Sequence, residues 1–146
     1  MIGTPDGVID DARAGHLVQL YGSDPLTLVR NVARYLAVGL ERGEGTVVVA
    51  SDANAEAFLA ELQTRGGDLT AARRDGQLIV LDADATLARF MVDGQPDWDR
   101  FDASVGAVMR EVGAAFPAGV RAYGEMVGLL WEAARYAAAI KLEAFW

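Results

Sequence analysis

The sequence predicts an α/β fold in three layers, a mostly parallel sheet flanked by helices. Short apolar runs alternate with longer stretches whose apolar residues recur every three or four positions, so strands and helices interleave along the chain. The run Thr46-Val-Val-Val-Ala50 is apolar at successive positions, as a strand covered on both faces of a parallel sheet requires. Capping residues and glycines punctuate the pattern where helices start and stop. Strands separated by helices imply right-handed crossovers.

The elements follow in order. His16-Leu-Val-Gln-Leu-Tyr21 is a short apolar run and reads as the first strand. Asp24-Pro25 then supplies an N-cap and a proline at the first helical position. Leu28, Val29, Val32, Leu36 and Leu40 give that helix one buried face. Gly43-Glu44-Gly45 is a turn into the strand Thr46–Ala50. Ser51, Asp52 and Asn54 offer caps for a helix carrying Phe58, Leu59 and Leu62, which Gly66-Gly67 stops. A short piece from Leu69 to Arg74 leads into the strand Gln77-Leu-Ile-Val-Leu81.

Asp82 and Asp84 cap a helix expected to hold Leu87, Phe90 and Met91. Another long helix is expected from Pro96-Asp97, with Trp98, Phe101, Val105, Val108, Met109 and Val112 inward, ending at Pro117-Ala-Gly119. Val120-Arg-Ala-Tyr-Gly124 is the fourth strand. A final helix is expected from about Val127 to the end, with Leu130, Trp131, Ala134, Ala138, Leu142 and Phe145 on one side. Phe145-Trp146 is an apolar finish: either these rings dock on the body or the natural chain continues. Residues 1–15 read as a flexible tail and residues 16–146 as one domain.

Composition narrows the chemistry. The 146 residues include no cysteine, one histidine and one lysine, Lys141. Disulfides, thiolate metal sites and thiol nucleophiles are excluded, and one imidazole cannot build a multi-histidine site. The 13 basic and 21 acidic residues leave a net charge of −8, with no basic stripe for nucleic acid or an anionic membrane. No targeting segment and no membrane span is visible, so the cytoplasm is the expected location. No cofactor is expected.

In an open parallel sheet, ligands bind beyond the carboxyl ends of the strands. Those ends carry Tyr21, Ser23, Asp24, Ser51, Asp52, Asp82, Asp84, Glu125 and Met126. The aspartates read first as helix caps. Glu125 follows a buried strand and precedes an apolar helix, so two readings stand, a functional carboxylate or a structural hydrogen bond. The segment Tyr21-Gly-Ser-Asp-Pro-Leu-Thr-Leu-Val-Arg30 sits where a phosphate loop belongs but has one glycine, no lysine, and an aspartate and a proline in the turn. This opposes hydrolysis of a nucleoside triphosphate. Gly43-Glu44-Gly45 precedes a strand and not a helix, so it is no dinucleotide fingerprint. His16 is a general base or a structural histidine. Asp93, Asp97, Asp99 and Asp102 lack the order of a calcium loop and ring a helix start. Tyr21, Phe90, Met91, Tyr123, Met126 and Trp131 read as core or as the lining of a pocket for a small apolar ligand.

His16-Leu-Val-Gln-Leu-Tyr21, Gly39-Leu-Glu-Arg-Gly-Glu44, Ala88-Arg-Phe-Met-Val-Asp-Gly94, Tyr123-Gly-Glu-Met-Val-Gly-Leu-Leu-Trp131 and Ala139-Ile-Lys-Leu-Glu-Ala-Phe-Trp146 together resemble the MEDS family of methanogen/methylotroph sensory domains. The resemblance implies a nucleotide-binding-deficient relative of RecA/KaiC-like ATPases. It also implies a non-enzymatic prokaryotic sensor of hydrocarbon derivatives, attached to a histidine kinase or a transcription regulator. Position by position, the family's recurrent histidine falls on His16, its aromatic after the first strand on Tyr21, its Gly-Glu-Met on Gly124, Glu125 and Met126, and its helix tryptophan on Trp131; His16, Tyr21, Ser23, Glu125, Met126 and Trp131 are the expected ligand-binding residues. The family often has a Gly-Asn pair where this chain has Ala134-Arg135, and often continues beyond the tryptophan matching Trp146. Two further readings accompany this one: an interaction module that dimerises or docks through its last helix, and an enzyme using Glu125 as acid or base.

Overall fold

The computed structural model describes residues 24–146. The expected tail 1–15, the expected strand His16–Tyr21 and the candidates His16, Tyr21 and Ser23 lie outside the described residues. Helix α1 spans Pro25–Glu41, with Pro25 in its first turn. The Asp24 carboxylate caps it by accepting from the Leu26 N–H at 3.0 Å and from the Thr27 hydroxyl at 2.7 Å. Those bonds hold the Asp24 carboxyl below the usual carboxylate range.

Strand β1 (Gly45–Ala50) is buried along its whole length. It lies between β2 (Leu78–Asp82) and β5 (Val120–Gly124), both parallel to it. One face of this sheet is covered by α1, α2 (Asp52–Thr64) and α3 (Leu69–Arg74), through Val32, Leu36, Phe58, Leu62 and Ala72. The alternate residues of β1, Val47 and Val49, face a second cluster with Phe90, Phe101, Val112, Met126, Leu130 and Leu142. An α/β architecture with helices on both faces is therefore observed. Three helix starts are capped by the residues read from sequence, Ser51 for α2, Asp82 for α4 (Ala83–Phe90) and Asp97 for α5 (Trp98–Phe101).

The second layer departs from expectation at three places. Met91 does not continue α4. It opens a small antiparallel hairpin, β3 (Met91–Val92) with β4 (Gln95–Pro96), turned at Asp93 and Gly94, both with positive φ. The long helix is real, but it contains a π turn at Asp102–Gly106 between α5 and α6 (Ala107–Ala115). The single final helix is two: α7 (Met126–Glu132) and α8 (Tyr136–Glu143).

The break is a Schellman end. The Arg135 N–H donates to the Leu130 carbonyl at 2.8 Å, the Ala134 N–H donates to the Trp131 carbonyl at 3.0 Å, and Ala134 is left-handed at φ 58. Alanine hides this turn in the sequence, because glycine is the usual residue at that position. The break turns Trp131 and Ala134 away from the core, and Trp131 is 56% exposed. Trp98, also expected inward, is half exposed.

One charged side chain lies inside the sheet. Arg121 of β5 is 1% exposed, on the face packed by α1. Its Nε donates to Glu44 Oε2 at 2.5 Å, its Nη1 donates to the Tyr35 carbonyl at 3.2 Å, and its guanidinium lies 5.0 Å from the Tyr35 ring centre. Burial pushes the Tyr35 hydroxyl above the usual phenol range, with Arg121 pulling the other way. A Cβ at Gly39 would come within 2.7 Å of Arg121 Cδ, so this turn of α1 must be glycine for the arginine to lie flat. A Cβ at Gly45 would sit 2.2 Å from Val112, so α6 packs directly on the β1 backbone.

Two substitutions test this description by chemical denaturation. Glu44→Ala leaves Arg121 buried without its carboxylate and is expected to destabilise the fold by about 3–5 kcal/mol. Ala134→Gly relieves the left-handed alanine and is expected to stabilise by roughly 0.5–1 kcal/mol.

Candidate functional site

The carboxyl ends of the strands meet where the register predicts. Val49 of β1 lies opposite Gly124 of β5, and Ala50 opposite Asp82 of β2. The residues that follow β5 and the central β1 leave the sheet, Glu125 toward α7 and Ser51 toward α2. The Glu125 N–H still donates to the Val49 carbonyl at 3.1 Å, which holds its side chain beside the start of α2.

That carboxylate is fully engaged. Oε1 accepts a short hydrogen bond from the Ser51 N–H, and Oε2 accepts from the Asn54 side-chain amide at 2.7 Å and from the Tyr123 hydroxyl at 3.3 Å. Ser51 caps the same helix through its own hydroxyl, which accepts from the Asn54 N–H at 3.4 Å. The N-terminus of a 13-residue helix carries unpaired N–H groups and a partial positive charge, so it favours an anion. Here the protein supplies that anion itself. Phe58, one turn beyond Asn54, meets the Tyr123 ring edge-to-face at 5.1 Å and fixes the phenol that serves Glu125.

The other candidates separate. Met126 is 1% exposed and belongs to the core beneath α7. Trp131 stands on the outer surface and packs its ring against Tyr136 at 4.7 Å. Of the described candidates, Glu125 and Met126 adjoin the sheet edge and Trp131 does not. Among the four aspartates weighed for calcium, Asp97 caps α5 by accepting from the Arg100 N–H at 3.0 Å, and Asp102 pairs with Arg110 at 2.6 Å.

Sequence reasoning left one component of the edge open. The C-terminal rings dock on the body: Phe145 meets Trp98 and Phe101 at 5.3 Å, and Trp146 meets Phe101 at 5.3 Å. The Trp146 indole reaches the carboxyl end of β5, where a Cβ on Gly124 would sit 3.5 Å from its Cζ2. The ring thus lies within van der Waals reach of position 124 and stays 43% exposed. The edge is thus bounded by the Glu125 latch on one side and the Trp146 indole on the other. Among the described residues, surface cavities lie elsewhere. One of about 190 Å³ is enclosed by α1, α2 and α3, and one of about 470 Å³ runs along α5 and α6.

A family model described as MEDS, the methanogen/methylotroph, DcmR sensory domain, matches residues 15–146. No curated protein and no solved structure matches the chain. Among the described residues, no helix is long and apolar enough to cross a membrane.

The latch has a measurable signature. Glu125→Gln keeps one acceptor but turns its amide N–H groups toward either the Ser51 N–H or the Asn54 and Tyr123 donors. It is expected to cost about 1–3 kcal/mol in urea unfolding and to speed hydrogen exchange at the Ser51 amide.

Proposed function

The chain belongs to the MEDS family of sensory domains, and from that premise we propose that it senses a small apolar or hydrocarbon-derived ligand at the carboxyl edge of its sheet. The observation that carries this reading is the Glu125 latch. A carboxylate held by three donors at a helix start is a polar anchor that a ligand can rearrange, and the Trp146 ring beside it offers apolar contact. His16, Tyr21 and Ser23 are proposed to complete the site, with Met126 forming its floor and Trp131 reporting on the same helix. Ligand binding shifts the domain between two arrangements only if it favours one of them, and displacement of the latch or of Trp146 provides that difference.

The domain is proposed to be non-enzymatic, because the Glu125 carboxylate is already bound to three donors and is not poised to take a substrate proton. The signal is proposed to pass to a histidine kinase or transcription-regulator module. Kinship with RecA/KaiC-like ATPases is part of the same proposal. It rests on the sequence resemblance, with which the parallel order β2-β1-β5 is compatible.

A second reading, an interaction module without a small ligand, is favoured by one observation. Trp131, Tyr136 and Ile140 are all exposed on α7 and α8, with Ile140 at 66%. Exposed apolar groups on adjoining helices suit a protein partner.

Thermal-shift screening against chlorinated and short-chain hydrocarbons distinguishes the two. A true ligand at about 100 times its Kd is expected to raise Tm by roughly 5–10 °C. The shift should shrink in Glu125→Gln and persist in Trp131→Ala, while ATP should give none. If no compound shifts Tm, the ligand reading gives way to the interaction module.

A further inference from the structure

The larger cavity is an open groove of about 470 Å³ along the outer face of the α5–α6 rod. Six residues of that rod line it: Arg100, Ala103, Ser104, Ala107, Val108 and Glu111, with Arg89 of α4 at its flank. These six form three pairs about a single midpoint between Val105 and Gly106. Arg100 mirrors Glu111, Ala103 mirrors Val108, and Ser104 mirrors Ala107. Arg100 and Glu111 line the same groove from its two ends, roughly 15 Å apart along the axis. The groove therefore has a positive end, a negative end and a centre of small side chains.

Two facts set this face apart. Among the described residues, neither Arg89, Arg100 nor Glu111 has a side-chain ion-pair or hydrogen-bond partner, whereas Arg110 on the same rod is bound to Asp102 at 2.6 Å. The π turn at Asp102–Gly106 contains the midpoint. Such turns are rare and recur at functional sites.

We propose that this groove is the interface of a homodimer, its occupant a second copy of the same rod laid antiparallel across it on a two-fold axis through the midpoint. A two-fold interface must be self-complementary, with each contact made twice. Here Arg100 of one copy meets Glu111 of the other, and the reciprocal pair forms at the opposite end. Ala103, Ser104 and Ala107 let the two rods approach at the centre to the lower end of the usual 8–10 Å spacing between helices. Arg89 flanks Arg100 and adds a second positive group at each end. The interface lies away from the sheet edge and from the exposed rings of α7 and α8, so it does not depend on the ligand proposal.

Charge reversal tests the arrangement decisively. The 146-residue chain is expected to show a monomer–dimer equilibrium by sedimentation velocity between micromolar and submillimolar concentration, weakening as salt rises. Arg100→Glu and Glu111→Arg each replace two attractions by two repulsions and should each weaken self-association by about tenfold or more. Mixed one to one, the two variants should associate with each other as the parent does with itself, because every charge then faces its opposite. Both substitutions are on exposed helix positions, and circular dichroism is the check that each variant is folded. A chain that stays monomeric throughout, a dimer unaffected by either reversal, or variants that fail to recover on mixing would each overturn the proposal. Persistent dimers would place association on Trp131, Tyr136 and Ile140, while a monomer would leave the groove to a different protein or a dipolar small molecule.

Discussion

The ion pair between Arg121 and Glu44 is the constraint around which the first layer is arranged. A guanidinium with 1% exposure in an apolar sheet has to find its partners locally, since an unpaired buried charge costs several kcal/mol. Glu44 stands immediately before β1, Tyr35 gives a carbonyl and a ring from α1, and Gly39 clears the path between them. The pair therefore joins α1, β1 and β5 at the amino end of the sheet. It also gives physical meaning to the segment Gly39-Leu-Glu-Arg-Gly-Glu44, whose first and last residues serve one arginine about eighty positions away. A buried ion pair is weak evidence of net stability, but it is a demanding test of register. Sliding β5 by one residue would turn Arg121 into the opposite, wholly apolar layer.

The carboxyl end is tied by a second charged group of opposite sign. Glu125 joins β5 to the start of α2 as Arg121 joins β5 to α1, so β5 is fixed at both ends to elements that flank β1. The two ties differ in kind. Arg121 is sealed between layers, whereas Glu125 is only partly buried and bound to donors at a helix terminus, where another acceptor could take its place. The difference accords with the proposed ligand response, in which a rigid end and an exchangeable end would let a ligand act without unfolding the sheet.

Much of this was legible in the sequence where the cause is local. Asp24, Ser51, Asp82 and Asp97 cap helices because a short acceptor side chain meets the free N–H groups two or three residues on, and spacing alone reveals it. The β1 valines declared a strand covered on both faces. What stayed hidden depends on distance or on backbone twist. No periodicity links Arg121 to Glu44 or Glu125 to Asn54, 77 and 71 positions apart. The π turn keeps the apolar spacing of a helix almost intact, so Trp98 to Ala115 reads as one rod. The hairpin at Met91–Pro96 has strands of two residues, too short for an alternating pattern. Ala134 hides a Schellman end that glycine would have announced.

The two layers also differ in how they hold themselves together. The first rests on helices of 17 and 13 residues, each long enough to present a continuous buried stripe. The second combines the rod Trp98–Ala115, interrupted by its π turn, with helices of seven or eight residues, which have little intrinsic stability and depend on tertiary contacts. Those contacts converge on Phe101, which touches Phe90, Trp98, Phe145 and Trp146 at ring distances of 5.2–5.9 Å. Trp146 in turn rests on Gly124, one residue before the Glu125 latch. A change at the sheet edge thus adjoins, through one indole and one phenylalanine, the rod formed by α5 and α6. Contiguous packing is not itself proof of coupling, which requires two populated arrangements. It does identify the element on which such coupling would act, since loosening Trp146 removes a contact from the ring that the short helices share.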